Sequence, residues 1–337
     1  MAPIAPHRLP MSAPDDLAAF EELLDEGVVP AGEVVALWCK TRGNGLLNDF
    51  TKPWVDLLLR QALARRMGCG VEEVAARVPV LVSGGSEGPV SPHLVIWRRG
   101  RAGARGLLAA VERAEVPPAL QGGPGHAAVT SVIVQAALAR LGIGPEAVGL
   151  VLVRAPAVPG AEAAARVAAA QGVALALGEI PAIALEDPGR FARCAFVVAR
   201  HDGPAQQVFL LANGPGGDPR YAIAHGLLND PLDAVGAAAV LRGLGLLAAP
   251  QLAEPARVVA AISKGDAPRG PLLRGLPHAM RQDDDVAMHR HARAAYGAML
   301  GAVIGHGAVL VSGGAEAQGP PDGGFVSIIA QTEGGMA

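Results

Sequence analysis

Short apolar runs that end in a cation recur three times along the chain. VVALWCK closes at Lys40, GLVLVR at Arg154 and VVAAISK at Lys264, at nearly equal spacing. Continuous runs of this kind, rich in valine and isoleucine, predict buried strands. A second apolar run then opens into a loop of small residues: VPVLVSGG around Ser83, VFLLANGPGG around Asn213 and GAVLVSGG around Ser312. After the two VSGG loops the apolar pattern resumes as LVIW and FVSII. Between the two kinds of run lies a stretch with alanine and leucine at helical spacing: LLLRQALARRMG, AAARVAAAQGVALALG and HARAAYGAMLGAVIG. Each helix begins near another cation, Lys52, Arg166 or Arg293. Two Pro/Gly-rich connectors, VPPALQGGPGHA at 116–127 and LAAPQLAEPA at 247–256, separate the copies. The pattern predicts an α/β protein of three similar units, placed at 1–116, 117–250 and 251–337.

Composition narrows this picture only slightly. Of the 337 residues 51% are hydrophobic but 3% aromatic, so the core is expected to be alanine, valine and leucine rather than large rings. A net charge of -3 without a basic stripe excludes nucleic acid as an expected partner. The N-terminus has no apolar targeting segment, and the run AVGAAAVLRGLGLLAA is broken by Arg242, so a cytoplasmic protein without a membrane span is expected. Cys39, Cys69 and Cys194 are scattered and lack paired spacing, which reads as buried thiols rather than a disulfide or zinc framework.

The loops and cations carry the candidate chemistry. A serine at a strand end followed by glycines exposes its hydroxyl and leaves backbone N–H groups free, suiting a nucleophile, an oxyanion hole or an anion cradle. Neither SGG is followed by the GK[ST] of a phosphate loop, and no GxSxG elbow is present. A lysine crowded by other cations has a lowered pKa and can take the proton of a serine hydroxyl. Lys52, Arg166 and Arg293 could together bind a planar, oxygen-rich ligand, although a cation at a helix start is also an ordinary solvated group. His289 and His291, two residues apart, face different sides of a helix and make a poor metal pair. The acidic run Asp283–Asp285 suits an N-terminal cap.

The motifs KTRGNGLLNDFT (Lys40–Thr51), LVSGGSEGPVSPH (Leu81–His93), RVAAAQGVALALGEI (Arg166–Ile180), IAHGLLNDPLDAVG (Ile223–Gly236), RHARAAYGAMLGAVIG (Arg290–Gly305) and VSGGAEAQGPPDGG (Val311–Gly324) span all three units. With these, the chain resembles the cyanuric acid hydrolase and barbiturase family of ring-opening amidohydrolases. The resemblance implies three α/β units around a pseudo-threefold axis, forming a triangular prism with one central active site. It also implies hydrolysis of a small planar cyclic amide or ureide, often by a homotetramer. In that family each unit offers a Lys–Ser pair and an arginine, and the central pair performs the chemistry. Carried over, the first unit supplies Lys40, Lys52, Ser83 and Gly84, and the third supplies Lys264, Arg293, Ser312 and Gly313. The second supplies Arg166 but departs elsewhere: Arg154 replaces the lysine, and the loop holding Asn213 and Gly214 replaces the serine. No serine or threonine lies between Ser131 and Ser263, and a guanidinium cannot serve as a base. Further departures are Lys52 for arginine, Ala317 for histidine and a shortened segment between Arg154 and Arg166.

The resemblance also implies a structural Mg²⁺ or Ca²⁺ held by Asp266 with oxygens of Ala315, Gln318, Gly319, Pro320 and Gly323, and no organic cofactor. Three functions remain open at this point: a cyclic-amide hydrolase whose chemistry has moved to Lys40–Ser83 or Lys264–Ser312; an enzyme performing ring closure or proton transfer on a related ring; and a non-catalytic ligand-binding homologue.

Overall fold

A computed structural model describes residues 2–43, 49–85, 87–281 and 287–333. Residues 44–48, within the first quoted motif, Ser86, and the acidic run Asp283–Asp285 lie outside the described residues.

The first strands are β1 (Ala2–Pro10), β2 (Val34–Lys40), β3 (Val80–Ser83) and β4 (His93–Arg99). Next come β5 (Arg105–Glu115), β6 (Val148–Pro156), β7 (Ala195–Arg200) and β8 (Ala205–Pro215). The chain then forms β9 (Tyr221–Leu228), β10 (Val258–Gly265), a small hairpin of β11 (Leu272–Leu273) with β12 (Leu276–Pro277), then β13 (Leu310–Ser312) and β14 (Gly324–Gln331). One strand order occurs three times: β3-β2-β4-β1, then β7-β6-β8-β5 continuous with it in one sheet, then β13-β10-β14-β9 in a separate sheet. In each set the cation-ending strand pairs in parallel with a short partner and antiparallel with a longer one. Strand β5, which precedes the unit boundary expected at 116, pairs with β8 and so belongs to the second set.

The helices are α1 (Ala18–Asp25), α2 (Thr51–Met67), α3 (Val71–Arg77), α4 (Pro124–Leu141), α5 (Glu162–Ala176), α6 (Ala234–Gly243) and α7 (Met288–Ile304). Each strand set buries one face against its own helices in a separate apolar cluster. The other faces meet in a single inner cluster with residues from all three sets, including Trp38, Trp97, Phe196, Phe209, Ile262 and Phe325. Trp38 and Trp97 meet edge-on at 4.5 Å between ring centroids, so the scarce aromatics concentrate where the sets converge. Cys39 and Cys194 are free and buried in two of the outer clusters, whereas Cys69, expected to be a buried thiol, is free but only partly buried.

Small residues let two helices approach closely on the second set. A Cβ added at Gly172 of α5 would clash with the carbonyl oxygen of Ala127 in α4, a backbone atom that cannot swing aside. Alanine has the better helix propensity by about 1 kcal/mol, but forced separation of packed helices typically costs more. Gly172→Ala is therefore expected to destabilise the protein by about 1–3 kcal/mol, read as a lower urea midpoint; an unchanged or raised midpoint contradicts this packing.

Candidate active site

Strand register delivers the functional side chains. In the first set Lys40 is the Cα partner of Ser83, and in the third Lys264 is the partner of Ser312. In the second set Arg154 is the partner of Val198. The position matching the two serines is thus Val198 on β7, and the sequence-based placement of Asn213 and Gly214 there is corrected. Those two residues end β8, an antiparallel strand. The Asn213 amide donates to the Ile223 carbonyl at 2.7 Å and accepts from the Ile223 N–H at 3.0 Å, tying β8 to β9. Gly214 packs against Leu108 and Ile143. AFVVARHDG has no small-residue loop to announce it, whereas ANGPGG only mimics one.

A cavity of about 620 Å³ lies where the three sets converge. The first set contributes Lys52, Ser83 and Gly84; the second Arg154, Arg166 and Val198; the third Lys264, Arg293, Ser312 and Gly313. Lys40 does not line it; buried, its ammonium donates to the carbonyls of Gly85 at 2.7 Å and Thr41 at 3.3 Å.

Lys264 is better placed. Its Nζ donates to the carbonyls of Gly313 at 3.1 Å and Gly314 at 3.0 Å, and the Ser312 hydroxyl donates to that same Gly313 carbonyl at 3.1 Å. The lysine nitrogen and the serine oxygen therefore converge on one acceptor. Two carbonyls account for both N–H bonds of a neutral amine and leave its lone pair available. Burial, reinforced by the neighbouring Arg166 guanidinium, pushes the Lys264 pKa down to about 7. Lys40 is lowered to about 8, chiefly by burial. Gly314 makes the turn possible: its φ is +70°, and the Arg166 guanidinium passes 3.3 Å from where a Cβ would stand.

Three acids that sequence reasoning missed organise the cations. Glu316 holds Arg166 through two hydrogen bonds of 2.7 and 2.6 Å. Glu87 accepts from Arg290 at 2.8 Å and Arg293 at 2.7 Å. Asp202 accepts from Arg154 at 3.1 Å and Arg200 at 2.8 Å. Each acid lies four residues after Ser312, Ser83 or Val198, so the shared SGGxE of the two serine loops was the available signal. The acid of one loop also holds an arginine of another set, Glu87 with Arg293 and Glu316 with Arg166, which locks the loops to one another.

Of the residues expected to hold a cation, Asp266, Ala315, Gly319, Pro320 and Gly323 line one cavity of about 380 Å³. Asp266 accepts from the N–H groups of Gly314 and Ala315. The carbonyls of Ala315, Pro320 and Gly323 accept from Gln318, Gly323 and Asp266 N–H groups, and the Gln318 side-chain oxygen accepts from Val197 N–H at 2.6 Å. The Gly319 N–H is bound by the Ala192 carbonyl, so this loop is tied to the second set. The carbonyls of Ala315, Pro320 and Gly323 each keep a second lone pair, and one carboxylate with neutral oxygens is the donor type that a hard divalent cation takes. No step below is routed through one.

The family model described as "amidohydrolase ring-opening protein" matches residues 6–331. The chain belongs to the ring-opening amidohydrolases. Among similar relatives of this family, a cyanuric acid amidohydrolase of Methylobacterium sp. (strain 4-46) is 35% identical, over 97% of this chain and 96% of its own. A cyclic amide hydrolase of Azorhizobium caulinodans is 34% identical, over 94% and 96%. A solved cyanuric acid hydrolase, described as an evolutionary innovation by structural concatenation, superimposes with a TM-score of 0.89 at 30% identity, covering 98% of this chain and all of that one. Another, from A. caulinodans, gives 0.86 at 30% identity over 99% of this chain. Among the described residues of this ring-opening amidohydrolase, no helix is long and apolar enough to cross a membrane.

The Lys264 shift has a consequence for stability. With a native pKa near 7 and an unfolded value of 10.5, the unfolded chain binds more protons between those limits, so stability rises with pH across that window. Relative to Lys264→Met, the wild type is expected to gain unfolding free energy as pH is raised from about 7 to about 9. Parallel curves for the two proteins in urea titrations at several pH values contradict the buried neutral amine.

Proposed function

We propose that the protein hydrolyses a small planar cyclic amide or ureide, with Ser312 as nucleophile and Lys264 as its base. The observation that carries this reading is the convergence of Lys264 Nζ and Ser312 Oγ on the Gly313 carbonyl, at the wall of the shared cavity. The first pair lacks this feature, because Lys40 lies off the cavity and reaches the Gly85 carbonyl instead. The second set has neither group, since Arg154 stays protonated and Val198 has no hydroxyl.

In the reaction, neutral Lys264 accepts the Ser312 proton as the serine oxygen attacks a ring carbonyl carbon. Arg166 and Arg293, both lining the cavity, draw the negative charge that develops on the carbonyl oxygen. The ring C–N bond then breaks, and the Lys264 ammonium returns the proton to the departing nitrogen. A water molecule attacks the resulting acyl ester while Lys264 again takes a proton; the acyl–oxygen bond breaks, Ser312 Oγ recovers its proton and the product carries a carboxyl group. The ring nitrogen stays attached to the rest of the product, so one water is consumed and nothing else leaves.

Ser312→Ala is expected to lower kcat for opening of barbiturate- or cyanurate-type rings by about a thousandfold or more, whereas Ser83→Ala changes it by less than about tenfold. Because the base must be neutral, kcat/KM should rise with pH through about 7 and then level off. Loss of activity in Ser83→Ala with Ser312→Ala still active assigns the chemistry to the first pair instead.

A further inference from the structure

The walls of the shared cavity divide by polarity. Every apolar side chain that lines it comes from the first or the second set: Pro53, Leu81 and Val82, with Phe196, Val198 and Ala199. The third set contributes only Lys264, Arg293, Ser312 and Gly313. Phe196 and Val198, two residues apart on β7, share one face of that strand. The Phe196 ring is buried and lies 5.2 Å from Lys264 Nζ, whereas Val198 is only partly buried. An apolar strip therefore starts beside the base and runs outward to Val198.

The corner where this strip ends is also the one not closed by charge. Glu316 of the third set holds Arg166 of the second, and Glu87 of the first holds Arg293 of the third, all with side chains no more than 22% exposed. Asp202, the corresponding acid after β7, accepts only from Arg154 and Arg200 of its own set. Among the described residues no ion pair joins this loop to α2 of the first set. Asp202 and His201 line the cavity with side chains 51% and 46% exposed, so the cavity meets solvent here. Its volume of about 620 Å³ lies within the roughly 300–1,000 Å³ that encloses drug-sized ligands, and leaves room around a bare ring.

Resting on the Lys264–Ser312 reading for orientation, we infer that the ring opened by Ser312 carries an apolar substituent seated on Phe196 and Val198, and that Val198 sets this preference. The polar edge of the ring, with its carbonyl oxygens and N–H groups, faces the third set, and the substituent points to the open corner. Val198 stands in register where the other two sets carry serine. A hydroxyl at that position loses its hydration when an alkyl group covers it, whereas the methyl groups of valine gain from the same contact. The substrate class is a cyclic amide or ureide bearing a short, branched alkyl group rather than the bare ring.

Equilibrium binding tests this apart from turnover. Full-length protein is titrated calorimetrically with hydantoin, 5-isopropylhydantoin and 5-(1-hydroxyethyl)hydantoin; the last two share a shape and differ by a methyl group exchanged for a hydroxyl. The isopropyl probe is expected to bind about ten- to a hundredfold more tightly than either of the others. Val198→Thr keeps the shape and the strand preference of valine, and should cut the preference for isopropyl over hydroxyethyl to less than about threefold. Equal affinity of those two probes for the wild type, no measurable binding of the isopropyl probe, or a preference unchanged by Val198→Thr overturns the inference. The Lys264–Ser312 reading falls separately, if Ser312→Ala still opens rings.

Discussion

Parallel pairing between a cation-ending strand and a short partner is the interaction on which the rest of the structure depends. It sets Lys40 against Ser83, Arg154 against Val198 and Lys264 against Ser312. A slip of one residue would turn each of these side chains to the opposite face of its sheet. The inner cluster of aromatic and aliphatic residues holds the three sets together, and the carboxylates of Glu87 and Glu316 lock one loop to a helix of another set. Catalytic geometry is thus a by-product of sheet register, fixed by core packing rather than by the loops alone.

The same scaffold produces three different electrostatic outcomes. Lys264 is buried against the Phe196 ring at 5.2 Å and beside Arg166, and its charge is disfavoured enough to make it basic near neutrality. Lys40 is buried too, but Glu87 opposes the downward shift and the residue does not line the cavity. Arg154 occupies the corresponding place and keeps its proton, because guanidinium resonance resists the burial that lowers a lysine. On the proposed reading, proton transfer falls to the third set, while the second set offers a fixed cation where the other two have a lysine.

Much of this was legible in the chain. The three cation-ending strands, the cations Lys52, Arg166 and Arg293 on the following helices, and the two VSGG loops all stand where the apolar pattern puts them. The second loop was not, because its strand runs into ARHDG, polar and glycine-poor, while the later ANGPGG imitates the small-residue signal. Asn213 shows the physical difference: its amide replaces backbone pairing between β8 and β9, so it is consumed by the fold. Glu87 and Glu316 were visible as a shared spacing after serine, but their role depends on arginines far along the chain, which no local pattern supplies. The grouping of Asp266 with Ala315, Gly319, Pro320 and Gly323 follows the motif, but the N–H groups of Gly314 and Ala315 that Asp266 accepts from are visible only in the folded loop.

The central claim is that Ser312, and no other residue, carries the acyl group during turnover. Rapid acid quenching of the protein during ring opening, followed by peptide mapping by mass spectrometry, tests it directly. The account predicts a transient mass increase equal to the whole ring substrate, confined to the peptide containing Ser312 and absent in Lys264→Met. An adduct on the Ser83 peptide, or ring opening in single-turnover experiments without any adduct, contradicts it.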